Sequence, residues 1–156
     1  MMIHVPCNPY RAIPILNMHS KLDEYVSYLR GYGNEVAGIY CTPIDTVLLN
    51  WSLMSRCSNE KQLVYSDALY SFYKWTGCDN SSIHFYLTND GGHCWPGGLP
   101  GGPFSDIPST AIVANDFLWN FFIQYQLPQH IFYCNILANC KVVTTLQMSN
   151  QYLCLA

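Results

Sequence analysis

Ile83-His84-Phe85-Tyr86-Leu87-Thr88 runs directly into Asn89-Asp90-Gly91-Gly92-His93-Cys94-Trp95-Pro96-Gly97-Gly98-Leu99-Pro100-Gly101-Gly102-Pro103. The first six residues are rich in β-branched and aromatic side chains, which suit a pleated strand. The following residues are dense in Gly and Pro, which interrupt helix and strand alike. A strand therefore hands over to a loop, and the loop presents His93. Histidine is the side chain that titrates near neutral pH, and flanking glycines permit tight backbone geometry around it. A general base needs such placement, but a loop histidine is commonly just solvated, so a catalytic role requires a partner.

Upstream, Ala12 to Met18 is a second short apolar run, and it ends at the polar turn His19-Ser20-Lys21. It reads as a buried strand that delivers a loop. Asp23 follows that turn. Both Asp23 and His93 are then expected just beyond the carboxyl ends of strands, where open α/β sheets place their sites. An acid that accepts from the histidine ring fixes its tautomer and stabilises the imidazolium. Glu24 is a competing acid next door, and helix capping or simple solvation is the alternative role for Asp23.

Between these strands, Thr42 is placed to cap, Pro43 suits a first helical turn, and Val47, Leu48, Trp51 and Met54 recur at helical spacing, predicting a helix that ends near Cys57. From Glu60 to Cys78 polar and apolar residues partly alternate, as in a hairpin or two short strands. A second helix is predicted from Ser109 or Thr110 to about Tyr125, with Ile112, Val113, Phe117, Leu118 and Phe121 on one face. Strand, helix, strand, helix implies an α/β layering. Beyond Pro128 the chain holds one charged residue and only β-prone fragments such as Val142 to Leu146.

A chain of 156 residues that is half apolar and 11% charged suits one globular unit. Its net charge is -3, and its seven Lys and Arg are scattered, leaving no basic stripe for a nucleic acid partner. No apolar stretch is long enough to predict a membrane span. The eight cysteines include no C-x-x-C pair, so disulfides in an oxidising compartment are the better explanation. The opening residues lack a charged segment followed by an apolar one, so either export takes another route or the true beginning lies upstream. Frequent aromatics suit a protein that handles carbohydrate or aromatic esters, and suit a Tyr-rich core equally. His84, His93 and Cys94 lack metal-site spacing, so no metal or other cofactor is expected.

The segment Ile13-Pro14-Ile15-Leu16-Asn17-Met18-His19-Ser20-Lys21-Leu22-Asp23-Glu24-Tyr25-Val26-Ser27-Tyr28 resembles the strand and turn around the catalytic acid of polyhydroxybutyrate-depolymerase and feruloyl-esterase-like α/β-hydrolases, roughly P-V-L-x-x-H-G-x-x-D-x-x-V-P-Y. Gly91-Gly92-His93-Cys94-Trp95-Pro96-Gly97 is similar to their G-G-H-x-W-P-G around the catalytic histidine, and Ala114 to Phe122 to their final helix. The resemblance covers about residues 7–123 and leaves 124–156 as an extension of no assigned role. It implies the C-terminal portion of an α/β-hydrolase fold, a mostly parallel sheet with flanking helices, incomplete as it stands. It further implies Asp23 as the triad acid, His93 as the base, a disulfide between Cys57 and Cys78, and a secreted esterase that acts on polyester or plant-polysaccharide esters. Trp95 borders the substrate pocket or clamps the loop.

Departures accompany the matches. Ser20 stands where the family has Gly, and Glu24 and Ser27 where Pro is common, which predicts a looser turn. Cys94 replaces a common Thr, and its thiol has Cys41 as one possible mate. No G-x-S-x-G nucleophile elbow occurs in the chain. The serine is therefore expected in a missing upstream half, and the alternatives are a catalytically inactive fragment or a disulfide-stabilised carbohydrate-binding module.

Overall fold

A computed structural model describes residues 9, 11–29, 31–32, 40–103 and 105–126. Cys7, Cys134, Cys140, Cys154 and the β-prone fragments beyond Pro128 lie outside these residues. The chain divides into two compact units after Tyr125, and every element named below belongs to the first. In chain order the elements are β1 (Ile15–Ser20), β2 (Gly31–Tyr32), β3 (Tyr40–Cys41), α1 (Ile44–Met54), β4 (Gln62–Ser66), β5 (Tyr70–Trp75), β6 (Ile83–Thr88) and α2 (Ala114–Phe122). Four strands form one sheet in the order β1-β6-β5-β4, and β2 pairs with β3 separately.

The class is α/β, but the sheet is not the mostly parallel one expected. Only β1 and β6 run parallel, whereas β6 with β5 and β5 with β4 are antiparallel. The cause lies in the connections. Three residues join β4 to β5 and seven join β5 to β6, and a parallel pair needs a crossover of a dozen or more. The β4–β5 turn is closed by Asp67, whose Oδ1 accepts from the backbone N–H of Leu69 at 2.8 Å and Tyr70 at 2.9 Å. β1 and β6 are separated by α1 and the hairpin, which supply the long crossover.

Alternation along β6 builds both faces of the sheet. Ile83, Phe85 and Leu87 are buried with Ile15 and Trp75 in a core completed by Ile44, Leu48 and Trp51 of α1. On the opposite face His84 packs on Phe121 of α2 at 4.7 Å between ring centroids, and Tyr86 meets Phe117 edge-on at 4.9 Å. One helix thus covers each face.

Both helices start later than the sequence predicts. α1 begins at Ile44 with Pro43 as its uncapped N-terminal residue, so Thr42 does not cap it. The first-turn N–H of Ile44 donates instead to the carbonyl of Tyr28 at 3.1 Å. α2 begins at Ala114 because Ser109 and Thr110 are engaged elsewhere: both donate to the carboxylate of Asp90. Ile112 and Val113 therefore lie on an extended link rather than a helix face.

Cys57 and Cys78 form a disulfide that closes a 21-residue separation and pins the end of α1 to the turn before β6. Two backbone bonds join the same regions, Ser58 N–H to Thr76 O at 2.7 Å and Asp79 N–H to Ser55 O at 3.3 Å. Closing a loop of this length restricts the unfolded chain, so the Cys57→Ser/Cys78→Ser double variant is expected to lose about 3 kcal/mol, read as a lower urea midpoint. Cys41 and Cys94 are both free thiols.

His84 gives the fold a pH dependence. Burial, aided by the charge of Lys74, lowers its pKa from 6.5 to about 4, and its Nε2 is buried without a hydrogen-bond partner. The native state refuses a proton that the unfolded chain accepts, so this contribution is complete above pH 6.5, declines as pH falls, and levels off near 4. Unfolding at pH 4.5 is expected to need roughly 1–2 kcal/mol less than at pH 7.5, after allowance for solvent screening. His84→Leu should flatten that slope in urea titrations, with a remainder from His19, whose pKa burial also lowers.

Candidate active site

The parallel pairing positions the site. In the β1–β6 register His19 lies opposite Leu87 and Ser20 opposite Thr88. Both strands therefore end at one level, and the loops that follow them leave the sheet side by side. Their ends are tied together by Ser20, whose hydroxyl donates toward the carbonyls of Asp90 at 3.0 Å and Gly91 at 2.9 Å and accepts the N–H of Leu22 at 2.9 Å. The Ser20 hydroxyl thus binds the turn to the neighbouring loop.

Asp23 sits three residues beyond β1 and His93 five beyond β6. They meet with His93 Nδ1 2.8 Å from Asp23 Oδ2. The second carboxylate oxygen, Oδ1, accepts the N–H groups of Tyr25 at 3.0 Å and Val26 at 2.8 Å. Each oxygen thus has its own task, and the carboxylate cannot rotate without breaking backbone bonds. A carboxylate can only accept, so Nδ1 carries the hydrogen and Nε2 is left as the basic nitrogen. The Asp23 side chain is 5% exposed and that of His93 54%. Among the described residues no hydrogen bond to Nε2 is formed, and about half of the His93 side chain is exposed. Glu24 is exposed and is not the acid that His93 contacts.

The histidine loop is shaped by its glycines. Gly91 has φ +70°, and a Cβ there would lie 2.6 Å from Ser109 Cα. At Gly92 a Cβ would collide with the carboxylate of Asp106, whose Oδ2 accepts the backbone N–H of His93 at 2.5 Å. Cys94 Sγ reaches the carbonyl of Asp106 at 2.9 Å. Asp90 closes the base of the loop through Ser109 and Thr110, and these hydrogen bonds lower its pKa although desolvation acts the other way.

One aromatic ring packs on the pair, and another lies on the same loop. Tyr25 is tilted against the His93 ring at 5.9 Å. Trp95, 54% exposed, donates its indole N–H to Asn115 Oδ1 of α2 at 3.1 Å, tying the loop to that helix while leaving most of its ring in solvent. Among the described residues no group of three His, Cys, Asp or Glu could hold a metal ion.

Three residues without a role in the sequence reading join the site. His19 Nε2 lies 2.8 Å from the carbonyl of Val26 and 3.7 Å from Asp23 Oδ2. Asp106 holds the His93 backbone, and Tyr25 walls the ring. Asp106 has no local signal in the sequence.

The fold and site define an α/β protein with a carboxylate–imidazole pair at the carboxyl ends of two parallel strands. No protein-family model, curated protein or solved structure matches the chain.

Proposed function

We propose that Asp23 and His93 are the acid and general base of a carboxylic ester hydrolase similar to polyhydroxybutyrate depolymerases and feruloyl esterases. The observation that carries this reading is the 2.8 Å contact between a buried carboxylate and Nδ1 of a half-exposed imidazole. In the proposed reaction Nε2 takes the proton from a serine Oγ as that oxygen attacks the ester carbonyl carbon. The imidazolium, held by Asp23, returns the proton to the leaving alcohol oxygen as the C–O bond breaks. Water then repeats the cycle on the acyl-enzyme. No cofactor enters.

The serine has to come from another element, since no G-x-S-x-G occurs in the 156 residues. Among the described residues β1 is paired on one edge only, and a strand carrying the nucleophile on its following turn fits that edge. Substrates of this reading are polyhydroxyalkanoate oligomers or feruloyl and acetyl esters of plant polysaccharide. Tyr25 supplies apolar surface beside the base, and Trp95 exposes an indole on the same loop. The Cys57–Cys78 disulfide fits a secreted protein.

The test joins the 156-residue chain behind the serine-bearing half of a depolymerase-like esterase and measures hydrolysis of a short p-nitrophenyl ester, with a fluorophosphonate to label the serine. Hydrolysis and labelling are expected, both lost in His93→Ala. A folded fusion that labels and turns over equally well with His93→Ala rejects the proposal.

A further inference from the structure

His19 occupies the fifth position of β1, with its side chain 8% exposed and its ring 6.3 Å from that of Tyr28. Its Nε2 is 2.8 Å from the carbonyl oxygen of Val26. That oxygen can only accept, so Nε2 carries a hydrogen and donates it. The peptide N–H of Val26 meanwhile donates to Asp23 Oδ1 at 2.8 Å. Val26 is therefore grasped from both sides, its C=O by the strand and its N–H by the carboxylate.

We propose that His19 is a positioning residue: by anchoring Val26 to β1 it holds the turn that aims Asp23 Oδ2 at His93 Nδ1, and so sets which nitrogen of His93 is basic. The inference rests on the acid–base reading of that pair and assigns a role that the pair alone does not require. At 3.7 Å, His19 Nε2 is too far from Oδ2 to hydrogen-bond it. Its part is indirect, and Oδ2 keeps His93 Nδ1 at 2.8 Å as its close donor. Without the Val26 anchor, the turn keeps its ties to the strand end only at Leu22 and Asp23, whose N–H groups donate to Ser20, while the two N–H groups on Oδ1 come from Tyr25 and Val26, beyond those ties. The carboxylate can then rotate. A neutral imidazole in water favours the Nε2–H tautomer, so loss of aim is visible as loss of the Nδ1–H form.

The measurement is the ring-nitrogen chemical shifts of His93 in the ¹⁵N-histidine-labelled 156-residue chain, at a pH where the ring is neutral. Wild type is expected in the Nδ1–H form. His19→Leu keeps an apolar side chain in the buried position but cannot donate, and should shift most of the His93 population to Nε2–H. His19→Gln places an amide N–H where Nε2 was, and should retain the wild-type form. Near-UV circular dichroism selects folded variants, since a merely structural role would lower the melting temperature of both without separating their tautomers. A folded His19→Leu variant still in the Nδ1–H form overturns the inference while leaving the pair intact, as does a folded His19→Gln variant that has lost it. A wild-type chain in the Nε2–H form overturns the acid–base reading and the inference with it. Failure of the serine fusion to hydrolyse esters, with the tautomers as expected, rejects the esterase reading alone.

Discussion

Asp23→Asn is expected to lower ester hydrolysis by the serine-joined chain on the order of 10⁴-fold with little loss of fold. The carboxylate environment dictates why. Oδ1 accepts two backbone N–H groups, so the asparagine oxygen is drawn to that position and its NH₂ is turned toward His93. A donor then faces Nδ1, which must become an acceptor, and the ring hydrogen moves to Nε2. The nitrogen that should take the serine proton already carries one. Comparing kcat/KM for a p-nitrophenyl ester between the two proteins checks this, and Glu24→Gln, an exposed change, should leave the rate within a few-fold. Equal loss from both substitutions would mean that general negative charge matters, not the aim of one carboxylate.

Gly91→Ala is expected to destabilise the chain by about 3 kcal/mol and to disorder the histidine loop. An alanine at φ +70° costs roughly 1–2 kcal/mol for the left-handed backbone alone. Its methyl group also meets the backbone of Ser109, where overpacking adds roughly 1–3 kcal/mol. Ser109 cannot retreat easily, because its carbonyl accepts from Gly97 N–H at 2.8 Å and its hydroxyl is bound to Asp90. Urea unfolding of the variant measures the loss. Gly102→Ala, where nothing lies within 4 Å of the added carbon, is the control and should stay within about 0.5 kcal/mol of wild type.

These two predictions depend on parts of the site that the sequence displays unequally. The strand from Ile83 to Thr88 and the loop histidine were readable because composition changes sharply from β-branched and aromatic residues to Gly and Pro. Asp23 was readable because a short apolar run ends just before it. Their contact was legible only as an expectation, since it depends on the parallel register that brings Ser20 opposite Thr88. The mostly parallel sheet came from the family resemblance, whereas the hairpin legible between Glu60 and Cys78, with its short connections, makes two of the three strand pairings antiparallel. α2 begins later than Ser109 and Thr110, which resemble cap residues, because their hydroxyls serve Asp90, about 20 residues back. Contacts of that kind leave no local periodicity. The same holds for Asp106, which reaches His93 across 13 residues of Gly- and Pro-rich chain.

Alkylation of the 156-residue chain by methyl 4-nitrobenzenesulfonate, followed by peptide mass mapping, reads the proposed base without any added serine. Of the five histidines, His93 is the only one among those described that combines Nδ1 on a carboxylate with a half-exposed ring. A single methyl group is expected on His93 Nε2, introduced about ten-fold or more faster than in Asp23→Asn. Methyl groups spread over the histidines according to exposure, or a His93 rate indifferent to Asp23→Asn, would contradict the acid–base reading of the pair.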